Sequence, residues 1–135
     1  MWVALAALLS IAAAAEELVP ADARAVRAII EAQLDAFRKD DAARAFSYAA
    51  EGIRDSFGTP EVFMDMVRRA YPVVYRPGSV QFDPPLMVEG EVVQPVRMTD
   101  AEGRAWLALY PMQRQADGVW RINGCRLGRL AGRET

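Results

Sequence analysis

Apolar residues recur every three or four positions up to Tyr71, and about every second position beyond Val73. The first period is that of a helix with one buried face, the second that of a strand. Over residues 21–39, Val26, Ile29, Ile30, Leu34 and Phe37 form a stripe, with Arg24, Arg27, Glu31, Asp35 and Arg38 mostly opposite. Arg27 with Glu31, and Asp35 with Lys39, are opposite charges four residues apart, a spacing that supports a helix. Gln33 is the odd member beside the stripe. It is either a stripe-edge residue or a polar group aimed into a cavity.

Asp40 and Asp41 offer a cap for a second, shorter helix over residues 42–50, with Phe46 and Ala49 inward and Gly52 ending it. Residues 53–58 read as a connector whose Ile53 and Phe57 tuck beneath the helices. Thr59-Pro60-Glu61 then signals a third helix: a capping hydroxyl, a proline in the first turn and an acid beside it. Phe63, Met66, Val67, Ala70 and Tyr71 form its inner face, and Pro72 is expected to stop it.

Residues 73–75 read as a brief strand, followed by the Arg76-Pro77-Gly78 turn. Short strands at 80–82 and 86–88 flank Pro84-Pro85, and a longer one covers 91–99 with Pro95 inside it. Asp100 to Gly103 makes a turn. Residues 103–127 read as two long strands joined at Asp117-Gly118, holding Trp106, Tyr110 and Trp120. Pro111 removes a ladder donor there and predicts a bulge, a device that curves a sheet. Three helices followed by a meander predict an α+β domain, with the helices packed on one face of a curved antiparallel sheet. On the strand around Trp106, both faces are apolar: Trp106, Ala108 and Tyr110 on one, Leu107 and Leu109 on the other. One face meets the helices. The other needs a cover, and a homodimer through the outer sheet face is expected.

The first 15 residues hold no charged side chain and are too few to span a bilayer, which needs about 20. Small residues before Glu16 give an Ala-x-Ala pattern, so 1–15 is expected to be a signal peptide and 16–135 a single secreted or periplasmic domain. The missing Lys or Arg ahead of the apolar run leaves two alternatives open: a start placed too late, or an uncleaved apolar helix. Sixteen basic residues against 18 acidic give a formal charge of -2, which is no footprint for nucleic acid. Lys39 is the single lysine among those 16, a bias more easily explained by codon usage than by anion binding. With no histidine, the commonest neutral-pH base and transition-metal ligand is missing, and the lone Cys125 has neither a disulfide partner nor an activating histidine. No cofactor and no metal site is expected.

Several segments resemble a bacterial family called domain of unknown function 4864. They are residues 30–41, Phe57-Gly58-Thr59-Pro60, Tyr71-Pro72-Val73-Val74-Tyr75-Arg76-Pro77, Leu109-Tyr110-Pro111-Met112 and Trp120-Arg121-Ile122-Asn123-Gly124-Cys125. The order of elements also resembles the nuclear transport factor 2-like superfamily, whose fold is a cone. The resemblance implies that fold, and it implies no activity, because the wider fold hosts isomerases, dehydratases and non-catalytic binders alike.

Inside such a cone, Gln33, Tyr71, Tyr75, Trp106, Tyr110 and Arg114 are the candidates for polar or aromatic lining. Each aromatic among them could equally be plain packing, and Arg76 with Arg114 could hold an acidic ligand at a mouth. Two functions stay open. One is a non-catalytic module binding a small apolar ligand or a protein partner. The other is a small isomerase- or dehydratase-type enzyme using one carboxylate, which would require a buried Asp or Glu beside a tyrosine hydroxyl.

Overall fold

The structure, a computed structural model, describes residues 18–130, and the leader expected over residues 1–15 lies outside them. Helix α1 (Pro20–Arg38) starts without a side-chain cap, its first turn held by Pro20. Val26, Ile30, Leu34 and Phe37 are buried on the predicted stripe, and Gln33 is buried with them. Two residues past its end stands Asp40, whose φ of 53° lies in the left-handed region that aspartate tolerates. Arg76 covers that end, donating Nη1 to the Phe37 carbonyl at 2.5 Å and Nη2 to the Asp40 carboxylate at 3.1 Å.

Helix α2 (Ala42–Ser47) has the expected cap, with Asp41 accepting from the Arg44 amide at 3.1 Å. It stops sooner than its sequence suggests. Residues 48–50 leave the helix and lie against the sheet: the Ala50 amide donates to Ile122 O, and the Ile122 amide to Tyr48 O, both at 2.8 Å. Helix α3 (Glu51–Phe57) follows where a connector was expected. Gly52 does not end a helix but sits in the first turn of a new one, where amides have no intrahelical partner to lose. Helix α4 (Pro60–Ala70) matches its signals, with Thr59 Oγ1 accepting from the Val62 amide at 3.2 Å.

The brief strand expected at 73–75 is instead helix α5 (Pro72–Tyr75). Pro72 opens it as well as closing α4, which ends at Ala70, because a fixed φ suits a first helical position as well as a stop. Val73 and Val74 are both buried in the core, which is what their strand-like character reports. Among the described residues the helical half therefore has five segments, not three.

Strands β1 (Ser79–Phe82), β2 (Leu86–Val88), β3 (Glu91–Thr99), β4 (Ala105–Arg114), β5 (Trp120–Ile122) and β6 (Arg126–Arg129) form one antiparallel sheet. β3 and β4 are its centre, running together from Val92↔Met112 to Thr99↔Ala105. β1 and β2 share the free side of β3, and β5 and β6 share the free side of β4. The second long strand expected within 103–127 is thus two short ones.

Both breaks have one cause. Phe82 pairs with Val96 and Leu86 with Val93, so residues 83–85 oppose only Gln94 and Pro95. Ile122 pairs with Met112 and Arg126 with Leu109, so residues 123–125 oppose only Tyr110 and Pro111. Pro95 O accepts from the Asp83 amide at 3.2 Å, and Pro111 O from the Asn123 amide at 2.7 Å. A strand residue points its N–H and C=O the same way, so each proline turns its missing donor toward a bulge. Proline in the centre strands shifts the extra residue into the edge strands. The result is a crease across all four lines of the sheet, and the sheet curls strongly into a half-barrel.

Val92, Gln94, Val96 and Met98 of β3 and Ala108, Tyr110 and Met112 of β4 are buried on the inner face against the helices. Leu107 and Leu109 face the other way, half-buried, and Leu86 and Val88 of β2 are exposed across the crease from them. The prediction that β4 is apolar on both faces holds.

Candidate functional site

Where the curl lifts the sheet from the helices, a cavity of about 510 Å³ lies between them. α1 supplies Gln33 and Phe37, which are one turn apart on its inner stripe. α3 adds Ile53 and Phe57, and α4 adds Phe63, Met66 and Val67. Tyr71 closes the helical side, and Tyr110, Ile122 and residues 123–125 of the bulge form the sheet side. Glu91, Asn123 and Arg126 are exposed members of the wall and mark its mouth.

Phe63 organises the apolar part. Its ring centroid lies 6.2 Å from Phe37, 5.5 Å from Phe46 and 5.6 Å from Phe57, the last edge-on. Such tilted and edge-on pairs are the favourable arrangements for aromatic rings.

Four side chains give the wall its polarity. Gln33 is 3% exposed and donates Nε2 to the Ala45 carbonyl at 3.1 Å, in the last turn of α2. The Tyr71 hydroxyl donates to the Cys125 carbonyl at 3.2 Å and so ties the helical side to the bulge. The Tyr110 hydroxyl is different: the residue is 1% exposed, and the hydroxyl has no hydrogen-bond partner among the described residues. Most buried polar atoms have one. The Cys125 thiol lies near enough to influence its titration without forming a hydrogen bond of acceptable geometry.

Burial pushes the Tyr110 hydroxyl well above its ordinary value of 10, and the neighbouring Cys125 adds to the rise. Burial likewise pushes the Cys125 thiol up to about 12, with the Tyr110 hydroxyl offsetting a small part. Both groups are therefore neutral at physiological pH, and a protonated thiol is a poor nucleophile. The buried polar residues among those described are Gln33 and Gln94, neither of them an acid, and the acid in the cavity wall is the exposed Glu91. No cluster of His, Cys, Asp and Glu able to hold a metal occurs among the described residues. The arrangement can enclose an apolar molecule and offer it a few uncharged hydrogen-bonding groups.

Of the six residues singled out from sequence, Gln33, Tyr71 and Tyr110 meet in this cavity, and Tyr75, Trp106 and Arg114 do not. Tyr75 sits on α5, so its side chain leaves the sheet side altogether. Its hydroxyl bonds to the Asp40 carboxylate while the Arg76 guanidinium lies 4.0 Å from its ring centre. That bond raises the Tyr75 pKa and lowers that of Asp40, so both belong to a clamp on the end of α1. Arg76 is part of the same clamp, away from any mouth.

Trp106 is on the correct face of β4 but at its far end, donating Nε1 to Asp100 Oδ2 at 3.0 Å. Burial alone would raise the Asp100 carboxyl. The Trp106 indole and the amide and guanidinium of Arg104 outweigh it and hold the group well below the usual carboxylate range. Arg114 lies beyond the core, donating to the Gly118 carbonyl at 3.3 Å with its guanidinium 5.7 Å from the Trp120 ring centre.

Sequence reasoning passed over Phe37 and Phe63 as ordinary core and Cys125 as a lone thiol with neither a disulfide partner nor an activating histidine. The helical stripe held the first two, and the Asn123-Gly124 break before Cys125 was the available signal for the third.

No helix among the described residues is long and apolar enough to cross a membrane. No curated protein and no solved structure matches the chain. The family described as "Domain of unknown function (DUF4864)" matches residues 19–135, a span that includes every residue of the cavity wall, and the chain belongs to that family.

Proposed function

We propose that this domain is a non-catalytic binding module that takes a small, mainly apolar ligand into the cavity between helices and sheet. The observation that carries the reading is the make-up of that wall. About 510 Å³ is enclosed by phenylalanines and aliphatic side chains, with few polar groups, all uncharged in its interior. Binding sites for small molecules have this size and this ratio of apolar wall to placed polar groups. An isomerase-type reaction has no specific support, since the acid of the wall, Glu91, sits exposed at the mouth.

The reading has three further parts. The order of helices and meander, together with the curl of the sheet, supports a place in the nuclear transport factor 2-like superfamily. The apolar, uncharged start of the chain supports secretion to the periplasm or beyond. Leu107 and Leu109, with the exposed Leu86 and Val88, support a second copy of the chain against the outer sheet face. Sedimentation at micromolar concentration tests the last part, and a monomer overturns it.

The test of the central reading is mass spectrometry of the domain purified from the periplasm of its own cells. A discrete small molecule released on denaturation is expected. A protein that carries none, and that gives no saturable signal with an apolar fluorescent probe, overturns the reading.

A further inference from the structure

The binding reading says that the cavity holds something apolar; Tyr110 narrows what that something is. Two other hydrogen-bonding groups of the wall have already found partners. Gln33 has given a donor to the Ala45 carbonyl, and the Tyr71 hydroxyl has given its proton to the Cys125 carbonyl. The Tyr110 hydroxyl has the Cys125 thiol nearby but no hydrogen-bond partner among the described residues, although its residue is 1% exposed and lines the cavity. Leaving such a group unpaired is unfavourable, and an oxygen on a ligand is what would pair it.

The same surroundings decide the charge of that ligand group. Phe37, Phe63, Val67 and Ile122 surround the space, and the cation in the wall, Arg126, is an exposed residue of the mouth. A carboxylate or phosphate carried to Tyr110 would lose its water without gaining a countercharge. A carbonyl or ether oxygen would lose little and accept one hydrogen bond.

Resting on the binding reading above, we propose that the ligand enters with one uncharged oxygen acceptor leading, and that the Tyr110 hydroxyl donates to it at the closed end of the cavity. Any charged group on the ligand stays at the mouth, beside Glu91 and Arg126. The ligand class is therefore an apolar ketone, ester or ether, and not a molecule buried by its acid end.

A matched set of probes tests this: 2-acetylnaphthalene, 2-ethylnaphthalene and 2-naphthoate, titrated by fluorescence into the wild-type domain and Tyr110→Phe. The ketone is expected to bind about tenfold more weakly to the variant, the equivalent of one net hydrogen bond, while the hydrocarbon is unchanged. Naphthoate is expected to bind at least tenfold more weakly than the ketone to wild type. The variant keeps the fold, since it removes only a hydroxyl without a partner, and an unchanged melting temperature checks this. Equal loss for ketone and hydrocarbon, or naphthoate binding as tightly as the ketone, overturns the proposal and leaves the binding reading standing. Failure of all three probes to bind wild type overturns both.

Discussion

The two ends of the crease are built alike and finish differently. Gln94 and Tyr110 are direct cross-strand partners on the inner face, 2% and 1% exposed, and each stands beside a proline-facing bulge. On the β1–β2 side the bulge folds back onto Gln94, whose Nε2 donates to Asp83 O at 2.6 Å and Pro95 O at 2.8 Å. On the β5–β6 side the bulge runs through Gly124 at φ 131°, and the buried Tyr110 hydroxyl beside it is left without a hydrogen-bond partner among the described residues. One side consumes its own polar group. The other leaves it unpaired. The same break in a strand can thus be a structural joint or a site, depending on whether the facing side chain finds a partner in its own chain.

The comparison can be broken in several places. Phe63→Ala should have the largest effect, about 3–5 kcal/mol lost in chemical denaturation, because it removes the ring that Phe37, Phe46 and Phe57 pack on. A loss below about 1 kcal/mol would mean that the open side is not held by that cluster. Gln94→Leu should cost about 1–3 kcal/mol, since two carbonyls lose a donor. It should leave probe affinity unchanged, and altered affinity would show that the closed side is part of the site.

A pH-dependent effect is expected in alkali. In the unfolded chain Cys125 loses its proton near its ordinary value of 9, while in the folded chain it keeps it until about 12. Between those values the folded state binds more protons than the unfolded one, so stability falls as pH rises through the window. Unfolding curves of Cys125→Ala should show a shallower decline over the same range, and identical slopes would contradict the burial of the thiol. Smallest of all, Tyr110→Phe in the free protein should change stability by less than about 1 kcal/mol, because no hydrogen bond is lost. A loss of several kcal/mol would reveal an internal partner for the hydroxyl.

Particular residues show how far the sequence alone reaches. α1, α4 and β3 were legible because long stretches keep one period and carry their own signals, such as the Thr59-Pro60 start. α3 and α5 were not, because Gly52 and Pro72 punctuate a chain without saying on which side the helix lies. Misreading α5 as a strand also misplaced Tyr75, since a strand and a helix send the same side chain in different directions. Trp106 failed for another reason. Alternation gives the face of a strand but not the position along it, and the Asp100 turn holds the indole at the end away from the cavity. Gln33 and Tyr110 were found from face alone. That Tyr110 lacks a partner while Gln94 has two depends on the path of two bulges, which no local pattern encodes.

The most direct test of the account is a side-chain and amide NMR titration of the domain with 2-acetylnaphthalene. Saturable shifts are predicted at Phe63, Tyr110 and Cys125, with Asp83 and Gln94 still. Shifts confined to the outer sheet face, at Leu86, Val93 and Leu109, with the cavity residues unmoved, would contradict it.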